Sequence, residues 1–265
     1  MTLEELRNLG REFEIKLKLR TKPLGLNFFK KLEDVPKEYE FINKKRAICN
    51  LVGMSRYYEI PVAVTAENLT NVCVVPNVTL GLADVPANFA QNAAGSFAKN
   101  AEEAGKILDG FLKLAKGSIA AVGVCPIEYA TVMPDVVQIW GNPNQMMELE
   151  YANTWNHGDG KLVLETNGHG ASCYESSIKP YLTHKLILAI ADSGDKRHGM
   201  AADDDMILGV PTDMLADLYD GLVGTDSTRN RLPITYNFDD IDFPIPPYVL
   251  EHSKVLKDLP GRKGK

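Results

Sequence analysis

The residues with the clearest chemical potential form one run, Gly168-His169-Gly170-Ala171-Ser172-Cys173-Tyr174-Glu175. Ser172 and Glu175 have the spacing of a capping box, in which a serine caps a helix and a glutamate three residues on reaches back to it. This predicts a helix beginning at Cys173. A thiol placed there faces unpaired N–H groups and the positive end of the helix dipole, both of which favour the thiolate. Gly168 and Gly170 let a ligand approach the backbone closely, so Gly168, Gly170 and Ser172 are candidate cofactor- or anion-binding residues. His169 is the candidate proton carrier beside the cysteine. Arg197 is the candidate clamp for an anionic substrate, through its planar donor fork. Cys173, His169 and Arg197 are the candidate catalytic set.

Each has a plainer reading. Cys173 fits equally as a small side chain packed under a helix, and His169 as a solvent-facing loop residue. The carboxylates Asp203-Asp204-Asp205 repel one another and read as a solvated start to a strand. His157, His169, His184 and His198 show neither H-E-x-x-H nor C-x-x-C spacing, so no zinc site can be read from them.

The elements that must position these residues are legible from periodicity. Apolar residues at Leu3, Leu6, Leu9, Phe13 and Leu17 predict an amphipathic helix over Leu3–Leu19. Strands are expected at Pro23–Phe29, from Pro61 towards Cys73, at Ser118–Ala130, at Pro134–Trp140, from Lys161 towards Cys173, and at Met206–Leu215. A second helix is expected over 42–57, with Cys49 on its buried face, and a long alanine-rich one over 88–116. After Gly141, Asn142 and Pro143 suit a helix cap and first turn. Cys125, inside an apolar strand, is expected in the core. The proline-rich FPIPPYVLEH must lie extended.

The chain has 265 residues, enough for a large core, and its charge of −6 argues against a nucleic-acid partner. Its charged N-terminus has no secretory apolar run, and no stretch is long enough to span a bilayer, so a cytoplasmic protein with reduced thiols is expected.

Two segments, PVAVTAENLTNVC (61–73) and KLVLETNGHGASC (161–173), align without a gap and end in Cys73 and Cys173. Each follows a strand that starts at a proline and a helix. The expected fold is therefore α/β (α+β): two diverged copies of a β-α-β-containing module about a pseudo-twofold, with mixed sheets and flanking helices. The expected parts are an N-terminal helix (1–20), a first half-module (21–130), a second (131–225) and an extended strap and tail (226–265). A cleft shared by the halves is the default ligand site.

Cys49 with Ser55-Arg56, TAENLTNVC with the later LGL, PDVVQIWGNPNQMMEL, GASC, KPYL, and the segment from Arg197-His198-Gly199 to LGVP together resemble the domain of unknown function 169 family, over about Pro23 to Leu222. The resemblance implies a cytosolic protein of the kind found in anaerobic bacteria and archaea. It also implies cysteines at Cys49, Cys73 and Cys173 and an arginine at Arg197. Val74-Val75-Pro76 replaces the glycine that often follows the second cysteine. Three cysteines from separate segments form a candidate ligand set, Cys49, Cys73 and Cys173, for an iron–sulfur cluster or soft metal. Two functions follow. One is an enzyme acting on a small anionic or aromatic metabolite through a cysteine thiolate or cysteine-bound centre. The other is a non-catalytic ligand-binding or accessory subunit, either as a homo-oligomer or with partner enzyme subunits.

Overall fold

The computed structural model of the chain describes residues 1–69, 73–164, 166 and 168–227. The strap expected at 226–265 lies almost wholly outside the described residues. Two sets of elements follow one another along the chain. The first comprises α1 (Leu3–Leu17), β1 (Leu24–Phe29), β2 (Glu40–Phe41), α2 (Ile48–Tyr58), β3 (Val62–Thr65), α3 (Ala66–Leu69), α4 (Val74–Thr79), α5 (Phe89–Ala93), α6 (Ala101–Asp109) and β4 (Ala121–Pro126). The second comprises β5 (Val136–Gly141), α7 (Pro143–Asn156), β6 (Val163–Leu164), a π turn (Ala171–Glu175), α8 (Ile178–Thr183), β7 (Ile187–Ile190), α9 (Ser193–Gly199), β8 (Met206–Pro211) and α10 (Leu215–Gly224).

The α/β class holds, and among the described residues the strands form a single mixed sheet of eight in the order β2-β3-β4-β1-β5-β8-β7-β6. The first four strands fill one half and the last four the other. In each half the two-residue second strand lies at the sheet edge, parallel to the third, and the fourth runs antiparallel to the third. β1 and β5 pair antiparallel at the centre, where Leu24 stands opposite Gln138. Strand position thus matches β2 with β6 and β3 with β7. The gapless alignment of 61–73 with 161–173 instead sets β3 against β6, so the sheet orders the halves differently from that alignment.

Local chemistry explains most of the element ends. Thr2 caps α1, accepting from the Glu5 N–H at 3.2 Å while its own N–H donates to the Glu5 carboxylate at 2.6 Å. Asn142 and Gln145 do the same for α7, with Pro143 in its first turn. The long helix expected over 88–116 is two short ones instead. Gly95 adopts φ +79°, a conformation no helix contains, and Asn100 starts α6 afresh by accepting from the Glu103 N–H at 2.9 Å. The strand expected over 161–173 shrinks to Val163–Leu164, because Gly168 (φ 76°) and Gly170 (φ 88°) turn the chain out of the sheet.

Side chains alternate across β5. Val137 and Ile139 join the core that α1, α7 and α10 build with Leu6, Phe13, Leu149 and Leu218. Trp140 joins the opposite core, where Leu51 and Val52 of α2 meet Tyr174 and Ile178. The π turn sits directly on β8: a Cβ at Gly209 would collide with the Ser176 carbonyl oxygen. Cys173 belongs to this second core, and Cys125 is buried in β4 as expected. Among the described residues no helix is long and apolar enough to cross a membrane.

Candidate functional site

Four helical segments bring their first residues to one place. Cys49 is the second residue of α2, Cys73 immediately precedes α4, Cys173 is in the π turn, and Asp192 caps α9. α9 lies close enough to α2 that a Cβ at Gly199 would stand 2.9 Å from the Cys49 carbonyl oxygen. Val75 of α4 touches the π turn, 2.7 Å from where a Cβ on Gly170 would stand, and that same Cβ would be 3.4 Å from the Cys173 sulfur. Ionisation of Cys173 is opposed by its proximity to Cys73, Cys49, Asp195 and Asp192, and that of Cys49 by Asp195, Cys73 and Asp192. The three cysteines of the candidate ligand set are therefore neighbours, and two carboxylates complete the group.

The structure corrects the expected chemistry of Cys173. Ser172 does not cap a helix. The segment starts at Gly170 in left-handed conformation and closes as a π turn, with Tyr174 N–H and Glu175 N–H both donating to the Gly170 carbonyl oxygen. The N–H groups expected to meet a thiolate or an anion already have acceptors. Gly170 N–H and Ala171 N–H donate to Asp192 Oδ2 at 2.5 and 3.1 Å, and Ser172 N–H donates to Asp195 Oδ2 at 3.3 Å. The Ser172 hydroxyl donates to Asp195 Oδ1. Burial, and then the neighbouring thiols and carboxylates, push the Cys173 thiol well above its ordinary value instead of lowering it. Cys49 is pushed up to about 12, chiefly by burial. Cys73 is the exposed member. Gly168, offered as an anion contact, has an exposed backbone turn, and its N–H donates to Thr166 Oγ1 at 3.2 Å.

Asp192 and Asp195 organise the site. Asp192 Oδ1 accepts from Gly194 N–H and Asp195 N–H at 2.7 and 3.0 Å, so one carboxylate caps α9 and, through its other oxygen, holds the π turn. Asp195 is nearly buried, and burial with the Asp192 charge raises its carboxyl to about 7 against the opposing pull of Ser172. Beneath the turn lies Gln138, fully buried, whose amide donates to the Ser172 carbonyl oxygen at 2.6 Å and to the Ser176 hydroxyl at 2.9 Å. Gln138 Oε1 accepts from the Trp140 indole at 3.3 Å.

Arg56 is a buried arginine, whereas the candidate clamp Arg197 is not. Arg197 is exposed on α9. Arg56 is buried with its guanidinium 3.8 Å from the Trp140 ring centroid, donates to Asp205 Oδ2 at 3.0 Å and to Thr21 Oγ1 at 3.2 Å, and feels the Asp195 charge. Its Nη1 has no hydrogen-bond partner among the described residues. Asp205, the last of the three carboxylates read as solvated, is buried in this pair and also accepts from Arg20 at 3.0 Å.

His169 lines a cavity of about 420 Å³ with Phe97, Phe111, Tyr174, Glu175 and Lys179. Asp192 and Asp195 were legible in part, since Asp-x-x-Asp before a helix has the capping spacing. Gln138 carried no signal, since a glutamine in an apolar strand does not reveal what it will face. Among the described residues, no three His, Cys, Asp or Glu side chains already stand in the geometry of a metal site.

The domain of unknown function 169 family model, described as uncharacterised ArCR, matches residues 12–221. The chain belongs to this family. A protein of Methanocaldococcus jannaschii, itself described as uncharacterised, is 20% identical over 228 residues, covering 84% of this chain and 95% of its own. No solved structure matches.

Proposed function

We propose that this family member is an enzyme that holds a soft metal ion or an iron–sulfur cluster on Cys49, Cys73 and Cys173 and acts there on a small metabolite. The observation that carries this reading is the convergence of three thiols and two carboxylates from four separate helix starts. Such a group is costly as it stands: its acidic side chains crowd one poorly solvated region, where like charges cannot all ionise. A cation relieves this by displacing the thiol protons, since a coordinating thiol is deprotonated outright. The donor set suits a soft cation, and three thiolates leave a position open for substrate. Ligation requires the thiols to turn towards a common centre from their present rotamers. A bare Cys173 nucleophile is less well supported, because burial and carboxylates oppose its ionisation.

The matching strand order of the two halves supports descent from a duplicated module. On that reading Cys49 and Cys173 occupy equivalent places, each at the helical start after a short edge strand.

The test is purification of the full chain without oxygen, with metal analysis and absorption spectroscopy. A stoichiometric metal or cluster is expected, with Cys49→Ser, Cys73→Ser and Cys173→Ser each lowering the content and Cys125→Ser leaving it unchanged. A metal-free chain that takes up neither iron with sulfide nor a soft divalent cation overturns the proposal.

A further inference from the structure

The π turn has two chemically different sides. Cys173 joins the thiol group, while the next two residues, Tyr174 and Glu175, line the cavity that also contains Phe97, Phe111, His169 and Lys179. From this we propose that the cavity is a second site, which binds a planar aromatic carboxylate and holds it against the back of the turn that carries Cys173.

The walls argue for the ring. Phe111 and Tyr174 stack at 4.4 Å between centroids with 30° between their planes, so the two rings brace one another in the cavity wall. The Tyr174 hydroxyl is fixed by accepting from Leu112 N–H at 3.0 Å, which keeps the tyrosine in place without a ligand. At the opening, Phe97 meets the His169 ring edge to face at 5.2 Å and is still 59% exposed. A large apolar ring at a cavity mouth is well placed to close over a bound ring. A volume of about 420 Å³ accommodates a single-ring metabolite with a short side chain.

The polar groups argue for the carboxylate. Lys179, at the start of α8, is only 9% exposed and lines the cavity. Its ammonium has three donors, so a ligand carboxylate can join whatever else it binds. The acid beside it, Glu175, is already engaged, accepting from Thr166 Oγ1 at 2.6 Å, and Glu103 at the mouth accepts from Lys106 at 3.1 Å. Lys106 and Lys179 thus line the cavity with Glu103 and Glu175, each acid already accepting a hydrogen bond from a neighbouring side chain. The site is built of residues separate from the thiols, so binding here does not require the metal-centre reading, although that reading would make the ligand a substrate or a regulator of the centre.

The test is calorimetric binding of benzoate, phenylacetate, benzyl alcohol and benzylamine to the full chain, as purified and after chelator treatment. The two carboxylates are expected to bind at least tenfold more tightly than the alcohol and the amine, in both preparations. Lys179→Met is expected to erase that preference, and Lys179→Arg to keep most of it. Phe97→Ala, at an exposed position that leaves the core intact, is expected to weaken every ring-bearing ligand several-fold. Absence of binding by either carboxylate, equal binding of all four, or an unchanged preference in Lys179→Met overturns the inference. Carboxylate binding by a chain that holds no metal sustains it while the metal-centre proposal fails.

Discussion

At the scale of single residues, the four cysteines are chemically unequal. Cys73 is exposed, Cys49 half-buried, and Cys173 and Cys125 buried with thiols held well above the ordinary range. Alkylation requires both access and thiolate. Timed treatment of the metal-free chain with iodoacetamide at pH 8, read by peptide mass spectrometry, should therefore label Cys73 first, Cys49 more slowly, and Cys173 and Cys125 only on unfolding. Arg56 supports a second prediction. Replacing it by methionine takes the guanidinium off the Trp140 ring and strands the buried Asp205 carboxylate, a loss of about 3 kcal/mol because Arg20 still reaches that carboxylate from the other side. Urea denaturation measures it. Arg56 was visible in the sequence only beside Cys49 and Ser55, because nothing in a local run tells a buried arginine from a solvated one.

At the scale of elements, the decisive piece is the π turn. Its shape depends on contacts from three other segments: Asp192 and Asp195 above, Gln138 below, and Gly209 close behind. Gln138→Leu is nearly the same size but leaves the buried Ser172 carbonyl oxygen without that donor, at a cost of about 1–3 kcal/mol. It should also lower metal content while leaving the far-UV circular dichroism unchanged. Asp192→Ala removes the α9 cap and the acceptor for two N–H groups of the turn, and should cost about 2 kcal/mol or more in the same denaturation assay. The helix predicted at Cys173 failed for a related reason. A Ser-x-x-Glu spacing is satisfied equally by a side chain that caps its own segment and by one that reaches a distant acid. Ser172 chooses Asp195.

At the scale of the molecule, among the described residues, one eight-stranded sheet carries the two largest cores, and both its edges end in strands of only two residues. Short edges offer little unpaired backbone for another sheet to extend. The thiol group ties α2, from the first half of the chain, to the π turn and α9, from the second. A cation bound there stabilises the assembled state by mass action. Chelation of loaded protein should lower the melting temperature, and the same treatment of Cys173→Ser should leave it nearly unchanged. Equal shifts in both proteins would place the bound ion elsewhere.

Sequence by itself determined the local units. The periodicity of α1, the caps of α1 and α7, the central strands β1, β4, β5 and β8, and the core place of Cys125 follow from interactions within a few residues, which composition and spacing record. It missed β7, whose four residues are too few for a clear period, and it drew one helix where Gly95 and Asn100 make two. The meeting of Cys49, Cys73 and Cys173 was open in the sequence, since contacts between residues more than 20 positions apart depend on strand order. Tertiary structure alone decided the chemistry of that meeting. Burial and like charge act through space, so a thiol that a local pattern marks as activated is pushed towards its protonated form.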